Sequence, residues 1–393
     1  MTGKTRLLSF IFVAHALVHG AVLSMPLFIP IWLAEFDVNR ASIGLAMALL
    51  LVLYGAMAIP AGALSDRYGS DRFITLFLLV TGIGFAATRF VANDFLLLAA
   101  SLVVVGAGAG MYHAPALSLL SRQPYSSSRI FAYHNIGGNL GIALGPVIVI
   151  LLLAFFDWRF VLSLIAIPFV AFGLLFYVAG PSDTELRPRT DDSDGRSTVL
   201  SLLTLGFVFI LVVYLLRGAF FRGAITFIPD FLEVTSGLSS IQLFGKEIPP
   251  GRWIYSAILL LGVAGEYTGG ELGERLDAEI ALFGLFLIVA IIMPAFGFVS
   301  GWTLFVLAAA FGFVVFVFPP LLQSLVAKYS PATKRGLGYG LTSSGNIAFG
   351  GFLGTSLAGW LVSAQGYATM FAALALFPLA AIAVIVGFRA VDT

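Results

Sequence analysis

The sequence contains no cysteine, which excludes disulfides, thiolate metal sites and cysteine nucleophiles. Charge is scarce as well. Asp, Glu, Lys and Arg make up only 10% of the 393 residues and the net charge is +1, so no nucleic-acid partner is implied. The polar segments that would clothe a water-soluble core are also missing. Hydrophobic residues make up 60% of the chain, mean hydropathy is +1.02, and apolar blocks occupy nearly its whole length. Soluble helices keep a polar face. Blocks of about 20 apolar residues are instead what a helix needs to cross roughly 30 Å of hydrocarbon. Neither HExxH nor GxSxG occurs, so neither zinc-hydrolase nor nucleophile-elbow chemistry is indicated. The chain reads as an all-α membrane protein embedded in the lipid bilayer, with no cofactor and no metal called for.

Breaks at Gly, Pro and charge clusters divide it into twelve candidate spans: 7–34, 42–64, 73–91, 95–120, 131–155, 160–180, 199–229, 253–269, 279–298, 302–327, 336–362 and 368–388. The first block is longer than the roughly 7–15 apolar residues of a cleaved signal peptide and reads as a retained span. The polar stretch PSDTELRPRTDDSDGRS has no apolar face and reads as a solvated linker. It separates a six-helix bundle over 1–180 from a second over 199–393, with 181–198 as the connection.

Basic residues orient the spans. With a cytoplasmic N-terminus, that side holds most of the Lys and Arg, including Lys4, Arg6, Arg67, Arg72, Arg122, Arg129, Arg275, Lys328 and Arg335. The other side holds Arg40, Arg89, Arg159, Lys246 and Arg252. This bias places both termini and the linker in the cytoplasm.

The halves repeat. Gly62, Leu64, Asp66 and Arg67 recur at a constant offset as Gly270, Leu272, Glu274 and Arg275. Phe28-Ile29-Pro30 recurs as Phe227-Ile228-Pro229, and Gly138-Asn139 as Gly345-Asn346. An even number of spans per copy gives a parallel repeat about an axis along the membrane normal, which suits alternating access.

GALSDRYGSDR, from Gly62 to Arg72, falls between spans 2 and 3, where a short cytoplasmic loop is expected. Its Gly62, Asp66, Arg67, Gly69 and Arg72 resemble the loop signature of the major facilitator superfamily. That resemblance implies twelve transmembrane helices in two parallel-repeat bundles, secondary active transport in the cytoplasmic (inner) membrane, and a chain that works as a monomer. It also implies a gating role for the loop, in which Asp66 faces the positive end of a helix dipole. Glu274 and Arg275 hold the matching place in the second half.

Span 5 carries His134-Asn135-Ile136-Gly137-Gly138-Asn139-Leu140-Gly141, then Gly145-Pro146. Gly137, Gly141 and Gly145 share one helix face and allow close helix approach, and Pro146 bends or breaks the helix. Tight packing alone accounts for such a ladder. It also resembles the span-5 element of proton-driven exporters in the superfamily. With Gly110-Met111-Tyr112-His113-Ala114-Pro115 it is similar to the fosmidomycin-resistance branch, although Ala114 separates His113 from the proline.

Ionisable groups inside spans cost about 2.5–3.5 kcal/mol each on insertion scales, so each needs a reason. His15 and His19 lie one turn apart on span 1, His113 on span 4 and His134 on span 5. Histidine titrates near pH 6.5 and can carry a proton across a gradient, and the resemblance implies that spans 1 and 4 face the central cavity. His19 and His113, with His15, are the proton-coupling candidates, and Glu266 in span 8 is the alternative. Each histidine can equally be neutral and donate to a backbone carbonyl. Arg217 and Arg222 in span 7 present forks that match carboxylates and phosphonates. They read either as a substrate site, joined by His19, His113 and Asn139, or as internal ion pairs with Glu266, Asp230 or Glu35. Export of a small anionic molecule against protons is the expected activity. Import of an anionic metabolite with protons is the alternative, and an intramembrane enzyme or receptor is the rival from another class.

Overall fold

The computed structural model describes residues 3–121, 128–181, 202–331 and 335–392. Among these, eleven helices are long and apolar enough to cross a membrane. They are α1 Thr5–Phe36, α2 Arg40–Ser65, α3 Ser70–Val91, α4 Phe95–Leu120, α5 Tyr133–Phe155, α6 Trp158–Ala179, α7 Leu205–Thr235, α9 Ala278–Ala295, α10 Gly301–Tyr329, α11 Leu337–Gln365 and α12 Tyr367–Val391. The remaining expected span is α8, Pro250–Arg275, a 26-residue helix. At 1.5 Å per residue it is long enough to cross. It falls short in apolarity because it carries Glu266, Glu271 and Glu274 alongside several glycines. Past Pro181, the linker expected at 181–198 lies outside the described residues.

Several boundaries move for local reasons. Helix α7 starts at Leu205, later than the expected 199, because Thr204 caps it by accepting from the Phe207 amide at 3.2 Å. Its far end continues past Pro229 to Thr235. Between α7 and α8 stands a hairpin absent from the expected spans, β1 (Ile241–Leu243) against β2 (Lys246–Ile248). Phe244 at φ 51° and Gly245 at φ 71° make its two-residue turn, the left-handed pair that matches strand twist. Helix α1 tightens into a 3₁₀ turn at Met25–Phe28, where Pro26 removes an amide donor. Helix α10 breaks between Val315 and Phe318, just before Pro319-Pro320.

The chain divides into two compact units, Met1–Asp37 with Leu49–Thr190, and Val38–Ala48 with Asp191–Thr393. The start of α2 thus groups with the later spans rather than with the rest of 1–180. Gly44 is the cause: a methyl built on it would stand 2.9 Å from the Cα of Gly359 and 3.0 Å from the Thr355 carbonyl, both on α11.

Each unit contains a backbone-to-backbone helix contact that runs along a glycine face. In the first unit, Gly137, Gly141 and Gly145 on α5 meet Phe12, Ala16 and Gly20 on α1, with no room for a methyl at any of the three. The four-residue spacing is the same on both helices, so one glycine face runs along one face of α1. In the second unit, Gly350 and Gly354 on α11 meet Leu215 and Ala219 on α7 in the same manner.

Candidate functional site

In the first unit the glycine contact sets the register of the histidines. His15 on α1 lies over Gly138, where a methyl would stand 2.6 Å from its Cε1. Its ring stacks on that of His134, with centroids 3.8 Å apart and planes at 6°. Its Nδ1 meets the His134 carbonyl at 2.7 Å. A carbonyl can only accept, so Nδ1 carries the proton and Nε2 keeps its lone pair. His15 is buried, 6% exposed.

Helix α4 is interrupted at Met111-Tyr112, and His113 opens its second segment. That break brings His113 Nε2 within 3.3 Å of His19 Nε2. The His15 ring lies 4.6 Å from that of His19 and 5.3 Å from that of His113. His19 and His113 are half-buried. Tyr112 is fully buried beneath the cluster and donates to the Ile11 carbonyl at 2.8 Å, and the Tyr54 ring stands 5.9 Å from His113. The structure therefore gathers all four histidines. His134, which the sequence placed on span 5 without a role, is the ring that orients His15. Its register with the glycine face was the signal available for placing it. Asn139 follows Gly138 on α5 and is half-buried.

The second unit holds the arginines. Arg217 and Arg222 are both buried, 6% and 8% exposed. Five residues apart along α7, they share the Phe221 ring, with guanidinium carbons 4.2 Å and 5.5 Å from its centroid. Arg217 donates to the Val315 carbonyl at 3.2 Å, and its Nε has no acceptor among the described residues. Glu266, half-buried on α8, is close enough for its charge to act on Arg217. Asn346 lies in a π-helical stretch of α11, Gly345–Gly350. Its Oδ1 is buried without a partner among the described residues, at the point where α11 meets Gly218. Such π segments recur at functional sites, and nothing in the spacing of the sequence announced this one.

Two of the three acids considered as partners for the arginines, Asp230 and Glu35, are engaged elsewhere. Asp230 takes Arg40 in a two-pronged ion pair, Nε to Oδ2 at 2.6 Å and Nη2 to Oδ1 at 3.2 Å, with the Tyr367 hydroxyl on the same carboxylate. Glu35 accepts from Trp158 and Arg159. Asp157 caps α6 by accepting from the Phe160 amide at 3.1 Å.

The stretch Gly62–Arg72, expected as a loop, is helical except at Gly69. Helix continues from Ala58 to Tyr68 and resumes at Ser70, leaving Gly69 alone as the break. Its amide closes the last turn on the Ser65 carbonyl at 2.8 Å and its φ of 109° reverses the chain. Gly62 packs against Ala114 of α4. Arg67 lies over the Tyr68 ring at 5.4 Å, and Arg72 is exposed. The Asp66 side chain lies outside the described residues. In the other unit Arg275 pairs with Glu271 one turn back on α8 at 3.1 Å, and Glu274 is exposed.

The Major Facilitator Superfamily matches residues 10–248. The chain is similar to the "Multidrug resistance protein MdtH" of Shigella boydii serotype 4 (strain Sb227), 26% identical over 326 residues, covering 81% of this chain and 77% of that protein. The protein of the same description from Escherichia coli O1:K1 / APEC is 26% identical over 333 residues, with the same coverage of both chains. Among solved structures, a bacterial homolog of the human lysosomal transporter Spinster, inward-facing and occupied, superposes with TM-score 0.81 at 15% identity, covering 99% of this chain and 97% of that one. A peptide transporter POT in complex with sulfate gives TM-score 0.72 at 16% identity, covering 97% and 94%. These two likenesses are of fold.

Proposed function

Because the chain belongs to the Major Facilitator Superfamily, and is therefore a multi-pass membrane transporter rather than an enzyme, we propose that it exports small organic anions in exchange for protons. The observation that carries this reading is Arg217. It is a buried guanidinium whose Nε lacks an acceptor among the described residues, beside Arg222 on the same aromatic ring. Leaving a buried charged donor unmet costs about 1–3 kcal/mol or more. A carboxylate or phosphonate would meet it through a two-pronged contact.

Protons enter through the histidines. His19 and His113 face each other nitrogen to nitrogen, a geometry in which one proton is shared and a second is resisted. His15, fixed by the His134 carbonyl, supplies the third ring. The outward direction is supported by similarity to proteins described as multidrug resistance proteins. Transport proceeds by alternating access of two six-span halves, 1–180 and 199–393. The chain works as a monomer in the cytoplasmic membrane with both termini inside. Gly62, Asp66, Arg67, Gly69 and Arg72 serve as the cytoplasmic gate, with Glu274 and Arg275 in the second half, and the Gly137, Gly141, Gly145 and Pro146 face as the surface on which α1 and α5 hold register.

The test is reconstitution into vesicles with an imposed pH gradient and a screen of anionic against cationic compounds. An exchanger accumulates an anion in the acidic compartment, and the His19→Gln/His113→Gln variant loses that accumulation. Accumulation in the alkaline compartment makes the protein an importer. Unchanged proton-driven transport in the double variant removes the histidines from coupling.

A further inference from the structure

We propose that His15, His19 and His113 form a three-nitrogen binding site for a borderline divalent transition cation of the Zn²⁺ class. The placement comes from two helices. His15 and His19 stand one turn apart on one face of α1, the spacing that lets a helix present two imidazoles to one ion. His113 comes from the break in α4. One nitrogen from each residue lies within 4.8 Å of the others. Zinc–nitrogen bonds of about 2.0–2.1 Å at a tetrahedral centre put neighbouring ligand atoms about 3.4 Å apart. The His19 and His113 Nε2 atoms are 3.3 Å apart. That edge already has the spacing of a zinc site, and the third nitrogen lies within 4.8 Å of both.

The surroundings supply what a histidine ligand needs behind it. Metal-bound imidazoles hand their other N–H to an acceptor, which fixes ring and tautomer. His15 does this with the His134 carbonyl at 2.7 Å, leaving Nε2 as the donor atom. The His134 ring, stacked at 3.8 Å, and the T-shaped contact with His19 hold its plane. The donor set selects the ion: three imidazoles with no carboxylate in the group favour zinc, copper or nickel over magnesium or calcium. His19 and His113 are half-buried while His15 is buried, so the site has a closed back and an open front. A cation enters from the front, and a water molecule completes four-coordination there, as in sites of three histidines and one exchangeable position.

Co²⁺ reports on this site without reference to transport, so the outcome is independent of whether the histidines carry protons. The full chain, purified through a tag without histidine and held in detergent, is titrated with Co²⁺ and then Zn²⁺. The expected result is one Co²⁺ per chain with the visible absorption of a four-coordinate, nitrogen-ligated ion, displaced by Zn²⁺. His19→Gln and His113→Gln should each weaken binding by about 10–100-fold or more, since loss of a ligand costs at least what loss of a supporting group does. Thermal melts in the same detergent identify any variant that fails to fold. The unmutated spectrum decides by itself: absence of the four-coordinate band overturns the site. Equal Co²⁺ affinity in a folded His19→Gln/His113→Gln variant overturns it too.

Discussion

The backbones of Gly145 on α5 and Gly20 on α1 touch, so that a methyl group built on Gly145 would stand 2.4 Å from the Cα of Gly20. At Gly141 the clash is with the Ala16 carbonyl oxygen, at 2.1 Å. Neither obstacle is a flexible side chain, so the helices must separate to admit a methyl. Gly141→Ala and Gly145→Ala are each expected to cost about 1–3 kcal/mol, the usual range for overpacking, and to lower the melting temperature in detergent. Gly284 on α9 has nothing within 4 Å. Gly284→Ala should leave melting unchanged or raise it, because Ala is favoured over Gly in a helix by about 0.5–1 kcal/mol. Equal effects at the three positions would show that the ladder is not a packing surface.

Gly69 gives a second, conformational test. Its φ of 109° and ψ of 132° lie where a Cβ is strained, and no second residue shares the turn between the two helices. Gly69→Ala should destabilise by about 1–3 kcal/mol, whereas Gly270→Ala should not, since that glycine lies inside α8 with no neighbour within 4 Å. Melting temperatures of the two variants, measured side by side, decide it.

The Arg40–Asp230 pair predicts an asymmetry. The Arg40 side chain is 32% exposed and that of Asp230 only 3%. Asp230→Ala leaves a guanidinium that can turn to water, at a cost of about 1 kcal/mol. Arg40→Ala leaves a buried carboxylate with the Tyr367 hydroxyl, and an uncompensated buried charge costs about 3–5 kcal/mol. Arg40→Ala should therefore lower the melting temperature more than Asp230→Ala, and the double variant should recover much of the difference. Equal effects would mean that Asp230 reaches water or holds a proton.

How much of this was legible in the sequence depended on whether the cause was local. Hydropathy located the spans because burial in hydrocarbon acts on every residue of a helix. It underestimated α8, where acids and glycines dilute the apolar signal. Glycine spacing disclosed the α5 contact face, since only backbone approach requires that pattern. The continuity of helix to Tyr68 was hidden by the charges of GALSDRYGSDR, which read as a loop although Ala, Leu and Arg are good helix formers. His134 escaped because its partner lies 119 residues away. Asp230 could be placed near the C-terminal end of α7, but its choice of Arg40 over the arginines of its own helix is a tertiary fact with no sequence period.

The two readings of Arg217 separate through Glu266. If Arg217 binds the substrate anion, Arg217→Gln should raise KM for anionic compounds by about 10–100-fold, the equivalent of a charged hydrogen bond of about 1.5–3 kcal/mol. KM for neutral compounds should change little. Arg217→Lys, which keeps the charge but loses the planar fork, should fall between. If Arg217 instead serves only to neutralise Glu266, whose charge acts on it, the single variant fails because it strands a buried acid. Arg217→Gln/Glu266→Gln would then restore KM for anions to the unmutated value. Under the binding reading the double variant keeps the defect, because the lost group is the one that met the substrate, and removing Glu266 supplies no donor in its place.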